Sequence, residues 1–260
     1  MNRGLWTRET VVVILLAAYL PLALFWLWFG GIDDLQRFAL ALLVIAAWQL
    51  VFLLARAQPI SLSAAITALG IAMLAPEELG AVRLILGISF GTVMGELVFG
   101  GWGRNVVNPA TVTLAFLGFG FPAYAWPEIL VPVAWAAIPA AVIGVMAGVM
   151  PAGLVLGATI GAAVSFGFGV LPATALPAAG VVLVLVVADP VTSASTALGR
   201  WLNGLLFIAL VVLFATGWQG AAPVQIAVAA ALLASLAAPL LDELALAHWY
   251  AQRRRRHGRY

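Results

Sequence analysis

Residues Phe99–Ala110, FGGWGRNVVNPA, form a polar, glycine-punctuated break in the first half of a very apolar chain. Gly100, Gly101 and Gly103 allow positive φ and close approach of the backbone to another surface. Asn105 and Asn108 add carboxamides that both donate and accept. Asn108 followed by Pro109 is a helix start signal, a capping side chain and then proline at the first helical position. The helix it opens turns free N–H groups and its positive dipole end toward the glycine turn. That setting suits a polar or anionic ligand group. It equally suits a tight turn between two membrane helices, and spacing alone does not separate the two readings.

The rest of the composition fixes the class. The 260 residues are 65% hydrophobic and 8% charged, with a mean hydropathy of +1.13. So few charges leave a soluble domain of this size unable to cover its apolar surface. Long apolar runs without ten-residue alternation predict an all-α integral membrane protein, not a barrel. With no cysteine, thiolate chemistry and Cys-ligated metal or iron–sulfur sites are excluded from this chain. His248 and His257 both fall near the C-terminus, which argues against a haem or metal held by histidine in mid-membrane. No nucleophile–His–acid set, metal-ligand cluster or Walker-type loop is present.

Ten apolar runs follow one another: about 10–30, 35–54, 60–75, 81–99, 109–121, 129–149, 154–170, 177–188, 201–216 and 223–241. The third, fifth and eighth are short for a crossing, which takes about 20 residues. Ten crossings place Arg3, Arg8, Arg56, Arg104, Arg200 and Arg253–Arg256 on one side, and Asp33, Asp34, Glu77, Glu78 and Glu128 on the other. By the positive-inside rule both termini are then cytoplasmic. The basic tail, 248–260, is expected to meet anionic lipid, not nucleic acid. Gly101-Trp102 before Pro109 and Gly217-Trp218 before Pro223 form a weak repeat. Five runs per half make the halves inverted, 1–128 and 129–247, and such repeats place sites near broken helices.

The second half has its own polar break, Ala188–Thr196, ADPVTSAST. Asp189 can accept N–H bonds or face a cation, and Thr192, Ser193, Ser195 and Thr196 can cap the next helix or line a pocket. Glu96, near the end of the fourth run, is either an ion or proton site or a solvated group at headgroup level.

The stretch Ile85–Phe116, ILGISFGTVMGELVFGGWGRNVVNPATVTLAF, together with ADPVTSAST and Leu232–Arg259, resembles the B subunit of sodium-pumping NADH:quinone oxidoreductases and the D subunit of Rnf ferredoxin:NAD oxidoreductases. The three segments keep their order. The resemblance implies about ten helices in two inverted halves, some short or re-entrant, similar to urea channels. It also implies the bacterial inner membrane, partner membrane and redox subunits, and electron transfer through a flavin, riboflavin or FMN. Carried over by motif, Asn105, Asn108 and Phe116 are expected near that flavin. Pro122–Glu128 is short and has no Ser or Thr, so the flavin is expected to be held non-covalently. From the residues themselves, the Gly100–Asn108 and Asp189–Thr196 turns are expected to meet and to hold the ligand with Gly100, Gly101, Gly103, Asp189, Thr192, Ser193 and Ser195. Glu96 and Asp189 are the candidates for ion coupling. A channel for a small polar solute on the same scaffold is the alternative.

Overall fold

The computed structural model describes residues 7–257, without the side chains of 254–257. Arg3, residues 258–260 of the basic tail and the side chains of Arg254–Arg256 lie outside the described residues. The described chain is helical, and four helices are long and apolar enough to cross a bilayer: Arg8–Arg56, Gly80–Phe99, Ala197–Gly217 and Pro223–Arg253. Shorter apolar helices lie between them, as in a multi-pass membrane protein.

The first element, α1 (Arg8–Arg56), breaks at Gly31, whose φ of 66° lies outside the helical region. The break is a reversal. A straight helix would hold Glu9 and Gln49 about 60 Å apart, yet they accept the N–H groups of the neighbouring residues Leu62 and Ser61. The two limbs therefore run antiparallel, and Gly31 supplies the conformation an L-residue resists.

Helix α2 (Ser63–Leu74) lies against this hairpin with every residue except Ala65 buried. It has no side-chain cap of its own residue at the N-cap. Its first N–H groups are met by Gln49, Glu9 and the Ser61 hydroxyl. At its far end Arg37 donates to the carbonyls of Ala75 and Pro76, at 2.7 and 3.2 Å. A carboxylate at the amino end and a guanidinium at the carboxyl end also oppose the helix dipole. A short, largely buried helix needs such partners wherever its end groups lie away from water, because unpaired backbone groups there are costly.

Next come α3 (Gly80–Gly95), α4 (Pro109–Gly120), α5 (Val131–Met146), α6 (Ala152–Gly167), α7 (Ala175–Val182), α8 (Ala197–Gly217) and α9 (Pro223–His257). A π turn, Leu183–Val187, extends α7, and the Tyr19 hydroxyl donates to Val184 O at 3.2 Å. Residues Val181 to Asp189 are all buried, so α7, like α2, lies inside the bundle. α9 runs on past Leu241, where apolarity fades, because the main-chain bonds of a helix do not depend on apolar side chains.

Glycines set the closest packing. Gly87, Gly91 and Gly95 of α3 face Leu117, Thr113 and Pro109 of α4. On α6, Gly153 and Gly157 face Trp201 of α8, and Gly161 faces Leu205 and Ile208. Four-residue spacing puts each set on one helix face, the small-residue pattern that lets membrane helices approach closely.

The charges sort by side. Glu9, Gln49 and the start of α2 share one side of the bundle with Glu96, which meets Ser63. On the opposite side Asp34, Glu77, Glu128 and Arg37 line one cavity of about 290 Å³.

Candidate functional site

Asn108 begins α4 as the sequence predicts: its Oδ1 accepts the Ala110 N–H at 2.9 Å, with Pro109 at the first position. Its amide nitrogen points the other way and donates to Asp189 Oδ2 at 3.0 Å. The start of α4 and the end of the α7 segment thus meet through two side chains 81 residues apart, each only 4% exposed. The Asp189 carboxylate also accepts the Val191 N–H at 3.0 Å and the Thr192 hydroxyl at 3.3 Å. It stands beside the free N–H groups of α4, where negative charge is favoured.

The glycine turn folds over this junction. Gly100, Gly101 and Gly103 take φ of 104°, 90° and 93°. Asn105 bonds within the turn, accepting from Gly103 N and donating to Val107 O. A Cβ on Gly101 would lie 2.7 Å from Gln58 Nε2, and one on Gly103 3.2 Å from Arg8 Cδ. The glycines therefore bring the backbone against Gln58 and Arg8. Gln58 Nε2 is buried there without a hydrogen-bond partner. Glu96 sits beneath the turn, 1% exposed, and its Oε1 accepts from the Ser63 hydroxyl at 3.3 Å. Burial overturns the reading of Glu96 as a solvated headgroup-level acid.

Other residues singled out in the sequence stand differently. Thr196 caps α8 through the Gly199 N–H. Asp242 of α9 accepts the main-chain N–H and the hydroxyl of both Ser195 and Thr196. Ser195 is thus engaged with a helix start, while Ser193 is half-buried in the same turn. Phe116 lies two turns along α4, about 12 Å from Asn108, stacked on Phe90 with ring centroids 4.5 Å apart. It belongs to a separate aromatic group with Phe121.

Sequence reasoning missed Gln58, Ser63 and Asp242 as parts of this region. The one signal for Asp242 was its place in the Leu232–Arg259 segment. Asp242→Ala is expected to lower stability by about 1–2 kcal/mol, the size of a lost N-cap, and Asp242→Asn by less. Thermal unfolding in detergent, followed by tryptophan fluorescence, measures both. An unchanged midpoint for Asp242→Ala would contradict the cap.

A flavin can be tested against this geometry. The carboxamides of Asn105 and Asn108 are already bonded within the chain at both ends, so they build the site and offer few free edges. The orphaned donor is Gln58 Nε2, beside Gly101, with the Arg8 side chain next to it. Buried donors without partners cost about 1–3 kcal/mol, and a flavin carbonyl is the kind of acceptor that would meet this one. Gln58, Arg8 and the turn backbone are the groups that a flavin would meet here.

Residues 4–130 match the model of the NQR2, RnfD, RnfE family. Among curated proteins, the B subunit of the Na(+)-translocating NADH-quinone reductase of Yersinia pestis is 38% identical over 94 residues, 36% of this chain and 23% of that protein. Its counterpart of the same name from Neisseria meningitidis serogroup A is 38% identical over 95 residues, with the same coverage. That from Stutzerimonas stutzeri is 34% identical over 94 residues. The matches span about a quarter of these relatives' length, 23% in each case.

Proposed function

We propose that this chain, whose residues 4–130 match the NQR2, RnfD, RnfE family, is a membrane-embedded electron-transfer subunit of a redox complex. Its partners are other membrane and redox subunits. It lies in the bacterial inner membrane with both termini cytoplasmic, its helices forming ten segments in two inverted halves. The reversal at Gly31 supports the ten-segment path, since it divides α1 into two limbs.

The flavin, riboflavin or FMN, is held non-covalently on the cytoplasmic side, under the glycine turn. The observation that carries this reading is the orphaned Gln58 amide beside the turn that the family match covers. Asn105, Asn108, Asp189 and Thr192 shape the floor; Gly100, Gly101 and Gly103 bring the backbone in; Ser193 and Ser195 lie at the edge. When bound, the flavin supplies the redox chemistry. The chain's part is to orient it and exclude water. Glu96 and Asp189 are the groups available for ion coupling.

The second reading, a channel for a small polar solute, draws support from the internal bonding of Asn105 and Asn108, which leaves few free edges for a ring. Flavin release decides how the ligand is held. On denaturation the flavin is expected in solution, with no fluorescent band on the gel. Gln58→Leu is expected to weaken flavin binding up to about tenfold, the size of one neutral buried hydrogen bond. A fluorescent band that survives the gel, or full retention in Gln58→Leu, would contradict this placement.

A further inference from the structure

Two carboxyl groups are buried at the junction, and they differ in how many donors hold them. Asp189 is faced by donors: the Val191 N–H, the Asn108 amide and the Thr192 hydroxyl. An N–H group has no lone pair to offer, so a proton on Asp189 would find only Thr192 to receive it. This cage suits a carboxylate.

Glu96 is held by fewer groups. Ser63 meets its Oε1 at 3.3 Å, and the Trp102 main-chain N–H faces the carboxyl. A hydroxyl accepts as readily as it donates. A protonated Glu96 therefore has the Ser63 oxygen to bond, and little is lost when its charge goes. The charged groups acting on Glu96 are Arg8, from the start of α1, and Asp189, after α7. A hard metal cation asks for about six oxygen ligands, more than one carboxylate and one hydroxyl provide. Among the described residues no group of three His, Cys, Asp or Glu stands ready to hold a metal.

We infer that Glu96 is a proton-exchange site, binding and releasing a proton at its carboxyl group, while Asp189 remains an anchoring carboxylate throughout. The exchanged species is a proton, and no bond other than O–H forms or breaks. This deepens the ion-coupling reading of the same junction.

Infrared spectroscopy of the purified chain in lipid nanodiscs, followed through a pH titration, tests the inference. A protonated-carboxyl stretch is expected to grow as pH falls, shift in heavy water, vanish in Glu96→Gln and persist in Asp189→Asn. Glu96→Asp keeps the carboxyl and is expected to keep a displaced band, which covers the case of a Gln variant that does not fold. A band absent from wild type, or one lost in Asp189→Asn and kept in Glu96→Gln, would overturn the assignment. The measurement needs no redox partner. A Glu96 band that titrates while electron transfer in the assembled complex moves no protons would retire the ion-coupling reading and leave the site standing.

Discussion

An Asn108→Leu chain is expected to lose about 3 kcal/mol or more of stability together with its flavin. The substitution deletes the cap of α4 and strands the Asp189 carboxylate, 4% exposed, without its amide donor. A lost cap costs about 1 kcal/mol, and leaving a buried charge short of a partner costs more than the 1–3 kcal/mol of a neutral group. Asp189→Ala is expected to cost a similar amount, because it leaves the Asn108 amide, the Val191 N–H and the Thr192 hydroxyl unmet. Removing both partners is different. Asn108→Leu with Asp189→Ala should be more stable than the sum of the two single changes, since the stranded charge is gone. Unfolding of the four proteins in mixed micelles gives the cycle. Strict additivity would mean that the two turns are not coupled through this bond.

The second large effect lies away from the junction. A Cβ on Gly204 would lie 2.7 Å from Ala158 N, and one on Gly157 2.7 Å from Trp201 O. These neighbours are main-chain atoms, with no rotamer to relieve them. Gly204→Leu is therefore expected to abolish the folded protein in the membrane. Gly204→Ala should cost about 1–3 kcal/mol, the usual penalty of overpacking. Gly180→Ala meets nothing within 4 Å and should leave stability unchanged or slightly raised. Yield of monodisperse protein after detergent extraction reads all three. Wild-type yield for Gly204→Leu would show that α6 and α8 do not pack this closely.

What the sequence made legible was what local chemistry decides. Asn108-Pro109 starts a helix and Thr196 caps one because capping depends on residues within one turn. The membrane class followed from composition. The depth of Glu96 was not legible, because an acid near a span's end is solvated or buried according to what covers it, here a turn packed by Gln58 and Arg8. Arg37 at the end of α2 and Asp242 at the start of α8 were hidden for the same reason: each caps a helix other than its own. Phe116 shares α4 with Asn108 in sequence, yet the rise of that helix carries it to another neighbourhood. The reversal at Gly31 falls in the gap 31–34 between the first two apolar runs, and Gly31 takes it because glycine tolerates positive φ.

The visible absorption spectrum of the purified chain, extracted in mild detergent without its partners, addresses the central claim most directly. A near-stoichiometric band of oxidised flavin is expected, bleached by dithionite, restored by air, and released when the protein is denatured. Colourless, monodisperse protein that instead makes vesicles permeable to a small polar solute would contradict the electron-transfer account.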